Sequence, residues 1–186
     1  SGTAGLGYEN NPGDYLGLIE TRVKPSEIVS NGTSVYQRFH FNVADSPSSN
    51  LVLRMRYDDG FVAYLNGKEI ARDNISGTVR YNSTASSHPD SQAVNFVEFP
   101  LPGVSLIPGE NVLAIQIINQ SSGSSDLLCE PELVDRPGAN GGYFESLLEG
   151  FRSTIQRDVV VDQALWSGAG ITNFNNGYNG VLNTSI

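Results

Sequence analysis

The sequence predicts an all-β protein, an antiparallel β-sandwich or jelly roll, from its composition and from the spacing of its apolar residues. Gly, Ser and Asn together make up nearly a third of the 186 residues, while charged residues make up only 17%. This composition favours short strands joined by turns, and it excludes coiled coils and helical bundles. A chain of this length buries roughly 70% of the surface that it exposes when unfolded, so its core does not depend on a disulfide or a metal.

Alternation of apolar and polar residues with a period of two indicates the strands. In the first alternating segment Phe39 and Phe41 occupy one face and His40 the other. In the second, Met55 faces the interior and Arg54 faces solvent. We predict strands over residues 35–43, 51–57, 61–65, 68–72, 94–99, 111–118 and 127–133.

Turn residues separate these segments in order along the chain. Asn66-Gly67 joins the third and fourth segments, and this dipeptide is the strongest short-range hairpin signal. Before the third segment, Gly60 supplies backbone freedom in an acidic turn. Before the sixth, Asn111 is expected to brace the turn at Pro108-Gly109 through side-chain bonds to the backbone. Residues 7–15, rich in Gly and Asn, are predicted to be a turn rather than a strand.

The pattern of residue types along the chain changes near residue 138. We therefore predict a sandwich domain over residues 1–137 and a less regular C-terminal extension over residues 138–186. Helical spacing of apolar residues favours one helix over 146–156, and 159–161 could form a further strand. The extension either packs on the sandwich or extends it.

Two segments of the chain resemble the galactose-binding-like jelly rolls that serve as sugar-binding domains of bacterial β-galactosidases. Residues 58–70 are similar to their central hairpin, in which an acidic turn precedes a strand that ends in Asn-Gly. Residues 108–115 are similar to their Pro-Gly-x-Asn-x-Leu-Ala strand. The resemblance extends over residues 8–134, and it implies a carbohydrate-binding or accessory module, attached to adjacent domains of a large secreted bacterial protein.

Polar and aromatic residues on the outward faces of the strands and in a long loop are the candidates for binding a glycan. The candidate carbohydrate-binding residues are Arg54, Arg56, Tyr64, Asn66, His88, Asp90 and Trp166. Pairs of guanidinium groups would suit uronic or sulfated sugars, because arginine binds oxyanions through two parallel hydrogen bonds. The same arginines could instead pair with Asp58, Asp59 or Glu69 across the sheet. Trp166, the single tryptophan, could equally belong to the core.

The resemblance also implies a structural calcium ion, which requires six to eight oxygen ligands. The two ends of a jelly-roll chain often lie close together, so carboxylates near both ends are the candidates. The candidate metal ligands are Glu9, Asn10, Asp14, Glu130 and Glu132. The pair Asp58-Asp59 is a second acidic cluster, and its alternative interpretation is a solvated turn.

Charge and motifs narrow the classes of function. The formal net charge of −9 opposes binding to nucleic acids and to anionic membranes, and no apolar run is long enough for a membrane span. Motifs of serine hydrolases, nucleotide-binding loops and zinc enzymes are missing from the sequence, so we expect no catalytic activity. The single cysteine, Cys129, is expected to be a buried apolar residue. We expect a secreted or cell-surface protein.

Two other functions stay open. The first is a structural module of a surface protein or filament, in which residues 159–186 or an edge strand pair with a neighbouring copy. The second is a β-sandwich glycosidase or lyase, since a suitably spaced pair of carboxylates can be found by chance among the 20 acidic residues.

Overall fold

The computed structural model describes residues 5–11, 13–29, 32–44, 50–135, 145–146, 157–161 and 181–184. Their strands form two sheets, and apolar side chains from both sheets form one shared core. The predicted all-β sandwich is confirmed. Each helix among these residues is a single turn or little more, too short to traverse a lipid bilayer.

The first sheet, called sheet 1, has the strand order β2-β1-β9-β4-β7, and β10 also pairs with β9. Its strands are β1 (Leu6–Glu9), β2 (Thr21–Arg22), β4 (Leu51–Asp58), β7 (Val97–Pro100), β9 (Asp126–Asp135) and β10 (Glu145–Ser146). All neighbours are antiparallel except β1 and β2, which are parallel. Strand β1 falls where a turn is predicted: the segment is short, and pairing with β9, rather than its own pattern, makes it a strand.

The second sheet, sheet 2, has the order β12-β11-β3-β8-β5-β6 and is antiparallel throughout. Its strands are β3 (Ser34–Val43), β5 (Gly60–Leu65), β6 (Lys68–Asp73), β8 (Gly109–Ile118), β11 (Arg157–Val161) and β12 (Val181–Thr184). Helix α1 (Pro25–Val29) precedes β3, helix α2 (Asp90–Ala93) precedes β7, and a 3-10 turn covers Leu16–Leu18.

Alternation along the strands builds the core as the sequence predicts. Leu53 and Met55 of β4 are fully buried, while Arg54 between them is half-buried. In the facing sheet Phe39 of β3 is buried in the same core. Cys129 is also fully buried, in agreement with its expected role as a small apolar residue.

Segments of the predicted C-terminal extension join both sheets. Strand β10 pairs with β9 in sheet 1, and β11 runs antiparallel to β3 in sheet 2. The predicted strand at residues 159–161 lies within β11. Ser146, the first residue of the predicted helix, belongs to β10, and the rest of that helix lies outside the described residues.

Two glycine positions illustrate different constraints. At the β5–β6 turn, Asn66 and Gly67 have φ values of 51° and 81°, as the predicted hairpin requires. Gly60 does not have a positive φ, so the expected reason for this glycine is wrong. A Cβ atom there would lie 2.7 Å from the Cβ atom of Ala85 and 3.0 Å from the carbonyl oxygen of Asp73. Glycine is required at this position because another segment passes too close for a side chain.

Asn111 braces the turn before β8, as predicted, and it does so together with Asn66. Its side-chain oxygen accepts hydrogen bonds from the Ile107 amide (3.0 Å) and from Asn66 Nδ2 (2.9 Å). Its side-chain nitrogen donates to the carbonyl oxygens of Ile107 and Gly109. Asn66 Oδ1 in turn accepts from the Val112 amide at 2.8 Å. These bonds connect the β5–β6 hairpin to the start of β8.

We predict that Asn111→Ala lowers the free energy of unfolding by about 1–3 kcal/mol, because a fully buried side chain that makes four hydrogen bonds is lost. Urea denaturation measures the change. Asn95→Ala is the matched control: Asn95 is exposed and makes one side-chain bond, to Ser91, so its loss should cost far less. Equal losses for the two variants would contradict this account of the turn.

Candidate functional site

The residues predicted to bind a glycan do not converge on one surface. Arg54 and Arg56 lie on the outer face of sheet 1, and Tyr64 lies on the outer face of sheet 2. Alternation correctly places all three on outward faces. The predicted grouping is wrong because β4 and β5, although consecutive, belong to opposite sheets.

Arg54 and Arg56 are engaged in ion pairs across sheet 1. Arg54 pairs with Glu132 and lies 3.6 Å from Glu98, and Arg56 pairs with Glu130 at 3.0 Å. These partners differ from the predicted ones, Asp58, Asp59 and Glu69. The predicted calcium ligands Glu130 and Glu132 therefore serve as arginine partners, opposite them in the β4–β9 register. Both guanidinium groups also stack on the ring of Phe96, at 4.4 and 4.2 Å.

Two further predicted glycan residues have structural partners. The side chain of Asn66 is used in the turn described above. His88 is buried and stacks on the ring of Tyr57 with 4.6 Å between ring centroids. His88 Nδ1 lies 2.9 Å from the Tyr57 carbonyl oxygen, so the imidazole faces the interior. Trp166 lies outside the described residues.

A pocket with a volume of about 410 Å³ opens on the outer face of sheet 2. Its lining consists of Tyr36, Gln37, Arg38, Tyr64, Gly67, Val79, Arg80, Tyr81, Val112, Ala114, Ile115 and Gln116. We call it the tyrosine pocket, after Tyr36, Tyr64 and Tyr81. Its floor is deepest in the middle because Ala114 of β8, a small residue, is flanked by Arg38 on β3 and Tyr64 on β5. The strands on either side of β8, namely β3 and β5, lie about 10 Å apart. This distance leaves room for a ligand ring between their side chains.

The loop that forms one wall of the tyrosine pocket is fastened to the sheet. Gln116 Nε2 donates to the Arg80 carbonyl oxygen (3.0 Å) and to Ser34 Oγ (2.9 Å). The Thr33 amide donates to the Tyr81 carbonyl oxygen, and Thr33 Oγ1 donates to that of Ser83. These anchors have no sequence signal, because Gln116 on β8 and Thr33, directly before β3, are far from residues 80–83 along the chain.

A second site lies on the outer face of sheet 1. One carboxylate oxygen from each of Asp58, Asp90 and Asp126 lies within 4.8 Å of the other two. Asp58 ends β4, Asp126 begins β9, and Asp90 begins α2. We call this cluster the acidic chamber, and its residues could hold a metal ion. Asp58 belongs to the acidic pair predicted from the sequence and Asp90 to the predicted glycan residues, whereas Asp126 has no predicted role.

A small apolar cluster covers the acidic chamber. Tyr15 and Ile19 pack with Ala93 of α2 and Leu128 of β9. This cover explains why Asp58 is only 1% exposed although it lies on an outward face. The Asp58 pKa is raised far above its usual range, first by burial and then by the neighbouring charge of Asp59.

Glu9 is the predicted calcium ligand that lies beside the chamber. It pairs with Asp126 in the β1–β9 register, so the two side chains share a face. Its pKa is raised, first by burial, and the charges of Asp126 and Asp90 contribute. Asp14 and Asn10 are exposed, and Asp14 accepts a hydrogen bond from the side chain of Asn11.

Asp59 has a different environment from Asp58, to which it is joined by a cis peptide bond. It is 1% exposed, so the alternative of a solvated turn is wrong for this pair. Its two carboxylate oxygens accept hydrogen bonds from the amides of His88 (3.0 Å) and Gln120 (2.7 Å). Its carbonyl oxygen accepts from Asn74 Nδ2 at 2.9 Å. Asp59 thus holds the loops that contain His88 and Gln120 next to the position where the chain leaves sheet 1.

We predict that Asp59→Asn lowers the free energy of unfolding by about 1–3 kcal/mol, because its amide nitrogen must face one of the two backbone donors. Hydrogen exchange should quicken at the amides of His88 and Gln120, and urea denaturation gives the loss of stability. Asp14→Asn is the control, since Asp14 is exposed. Unchanged exchange at both amides would show that Asp59 does not anchor these loops.

No protein-family model and no curated protein sequence matches this chain. Four solved structures are similar to parts of it. One is the PA14 domain of the MpAFP antifreeze protein, 17% identical over 62% of this chain and 49% of that chain (TM-score 0.31), and the other three are α-L-rhamnosidases. The enzyme from Streptomyces avermitilis is 11% identical over 84% of this chain (TM-score 0.46), and that from Aspergillus terreus is 12% identical over 84% (TM-score 0.43). The enzyme from Dictyoglumus thermophilum is 10% identical over 67% (TM-score 0.41). The chain spans only 13%, 20% and 13% of the lengths of these three structures, respectively.

Proposed function

We propose that this chain is a non-catalytic glycan-binding module of a larger secreted protein, and that the tyrosine pocket is its binding site. The observation that carries the proposal is the lining of that pocket, which combines three tyrosines with two arginines around a depression of about 410 Å³. Pockets for small ligands have volumes of about 300–1,000 Å³ and combine aromatic walls with a few polar groups.

The chemistry of the lining suits a sugar. The apolar face of a pyranose ring packs on an aromatic ring, and its hydroxyl groups need donors and acceptors around the edge. Tyr36, Tyr64 and Tyr81 supply both, because each carries an apolar ring and a polar hydroxyl. Burial raises the pKa of Tyr64, so its hydroxyl keeps its proton and can donate a hydrogen bond to a sugar oxygen.

The charge of the lining favours an acidic glycan. Arg38 and Arg80 line the tyrosine pocket, and its described lining contains no Asp or Glu, although the whole chain carries a formal net charge of −9. A guanidinium group can bind a carboxylate or a sulfate through two parallel hydrogen bonds. We therefore propose uronic or sulfated polysaccharides as the preferred class of ligand. From the sequence alone, this preference is predicted for Arg54 and Arg56 instead.

The fixed wall of the tyrosine pocket also supports binding. Gln116 and Thr33 hold the segment of Arg80 and Tyr81 against the sheet through the hydrogen bonds given above. A ligand that enters a preformed site does not have to order a loop, so less of its contact energy is lost to conformational entropy.

We predict that the full chain is retained on polygalacturonate or a sulfated polysaccharide in affinity electrophoresis, and more weakly on a neutral glucan. Tyr64→Ala and Arg80→Ala should each lower the affinity at least tenfold, because each removes a contact in the centre or wall of the pocket. Tyr64→Phe should keep much of the affinity, since it retains the ring.

Arg56→Ala is the matched control for Arg80→Ala. Arg56 lies on the outer face of sheet 1, away from the tyrosine pocket, so its loss should leave retention unchanged. Thermal melting of each variant separates lost binding from lost folding. The proposal fails if the wild-type chain is not retained on any acidic or neutral polysaccharide, or if Arg56→Ala weakens binding as much as Arg80→Ala.

A second candidate function, a structural module in an assembly, is favoured by one observation. Strand β11 comes from the C-terminal part of the chain and covers the edge of β3, from Arg157 opposite Phe39 to Val161 opposite Val35. The pairing is made here within one chain. The same edge of β3 would accept the equivalent strand of a neighbouring copy, which would link copies into a filament.

Cysteine cross-linking distinguishes the two forms of this pairing. Val160 lies opposite Tyr36 in the register, so a Tyr36→Cys, Val160→Cys chain places two thiols across the strand pair. Disulfide formation within the monomer indicates pairing in one chain, while oligomers on a non-reducing gel indicate exchange between copies. Cys129 is buried and unpaired, and a single-cysteine variant at position 36 is the control.

A further inference from the structure

We propose that the tyrosine pocket recognises the end of a glycan chain rather than a sugar unit within the chain. The inference rests on the proposed function, and it adds which part of a polysaccharide the site accepts. It follows from the outer face of sheet 2, which is covered at one end of the pocket and exposed at the other.

The exposure of outward side chains changes along β8, the strand under the middle of the tyrosine pocket. Ile118 is 0% exposed and Gln116 is 5% exposed, although both lie on the outer face, where they alternate with core residues of the same strand. Ala114 and Val112 are half-buried, and Glu110 is exposed. The outer face is therefore covered at the carboxyl end of β8 and open at its amino end.

The strands on either side of β8 show the same change. At the covered end, Ser34 of β3 and Val62 of β5 are buried, although both lie on the outer face, opposite outward residues of β8. At the other end, Asn42 of β3 and Gly67 of the β5–β6 turn are exposed. The change from a covered to an exposed face therefore runs across three adjacent strands.

The loop segment of residues 80–85 closes the covered end. Gln116, whose side chain lies on the outer face, donates a hydrogen bond to the Arg80 carbonyl oxygen at 3.0 Å, so the segment lies on that face. The Thr33 amide, directly before β3, donates to the Tyr81 carbonyl oxygen at 3.3 Å. Because both strands hold the segment, a sugar unit cannot pass beneath it without breaking these bonds.

At the open end, the floor of the pocket continues from Ala114 over Val112. His40 of β3 lies opposite Val112 in the register, and Gly67, which has no side chain, lines the pocket at this end. His40 Nδ1 lies 2.9 Å from Glu110 Oε1, and the two side chains are 36% and 65% exposed. They are the polar groups that a second sugar unit would meet as it leaves the pocket.

A groove with one open end selects chain ends. An internal unit of a linear polysaccharide is linked to two neighbours, whereas a terminal unit is linked to one. The side chains of Arg38 and Tyr64 flank the floor of the pocket on its two sides, and residues 80–85 close one end. An internal unit would need a second exit beneath this loop, but a terminal unit needs only the exit over Val112.

The number of protein molecules bound per glycan chain tests the proposal. The probes are polygalacturonate and heparin, each compared with its own short oligosaccharide by calorimetric titration of the full chain. We expect a single protein molecule per glycan chain for the long and the short form alike, so at equal mass the short form should compete better. Stoichiometry that rises with glycan length overturns this inference alone. If the wild-type chain binds neither polysaccharide, the proposed preference for acidic glycans fails, and this inference fails with it.

Glu110→Gln locates the exit. Glu110 is exposed and lies outside the pocket lining, so the variant should fold and should bind galacturonic acid itself as the wild type does. We expect its affinity for the galacturonate trisaccharide to rise about twofold to fivefold at low salt, because a negative charge beside the exit is removed, and the gain to vanish at high salt. Asp14→Asn, an exposed carboxylate that follows β1 of sheet 1, is the control and should change neither affinity. An unchanged affinity of Glu110→Gln for the trisaccharide, or an equal gain for the monosaccharide, would show that the glycan does not leave over Val112.

Discussion

The passage of the chain from one sheet to the other through a single residue, Asp59, is the constraint on which much of this structure depends. Strand β4 ends in sheet 1 at Asp58, and β5 begins in sheet 2 at Gly60. So short a crossing leaves no room for a side chain at Gly60, where Ala85 passes. The backbone amides of His88 and Gln120 in the neighbouring loops must also find acceptors there, and the carboxylate of Asp59 accepts a hydrogen bond from each.

The same crossing separates the two candidate sites. Because β4 and β5 belong to opposite sheets, the outward residues of β4 face away from those of β5. Asp58 therefore belongs to the acidic chamber on sheet 1, and Tyr64 belongs to the tyrosine pocket on sheet 2. The outer face of sheet 1 is covered beside Asp58 by Tyr15 and Ala93, whereas the outer face of sheet 2 is open at the pocket.

Local patterns in the sequence predict most strands of the sandwich, but they do not predict which side chains meet. The alternation in β4 and the Asn66-Gly67 turn depend only on residues that are neighbours in the sequence, so both are predicted correctly. The partners of Arg54 depend on which strand lies beside β4, and this neighbour, β9, begins about 70 residues later. Strand β1 and the meeting of Asp58 with Asp90 and Asp126 are missed for the same reason, since each is assembled from distant segments that carry no shared signal.

One loop, residues 74–89, lines the tyrosine pocket and leads directly into Asp90 of the acidic chamber, and separate anchors hold its two parts. Its end is held by Asp59 through the His88 amide, directly before Asp90 of the acidic chamber. Its middle is held by Gln116 and Thr33, which act at the wall of the tyrosine pocket. The two sets of anchors share no side chain, and effects of changes at sites without shared partners usually add. The wall of the pocket therefore has its own support, and a change among the carboxylates at one end of sheet 1 need not disturb the outer face of sheet 2.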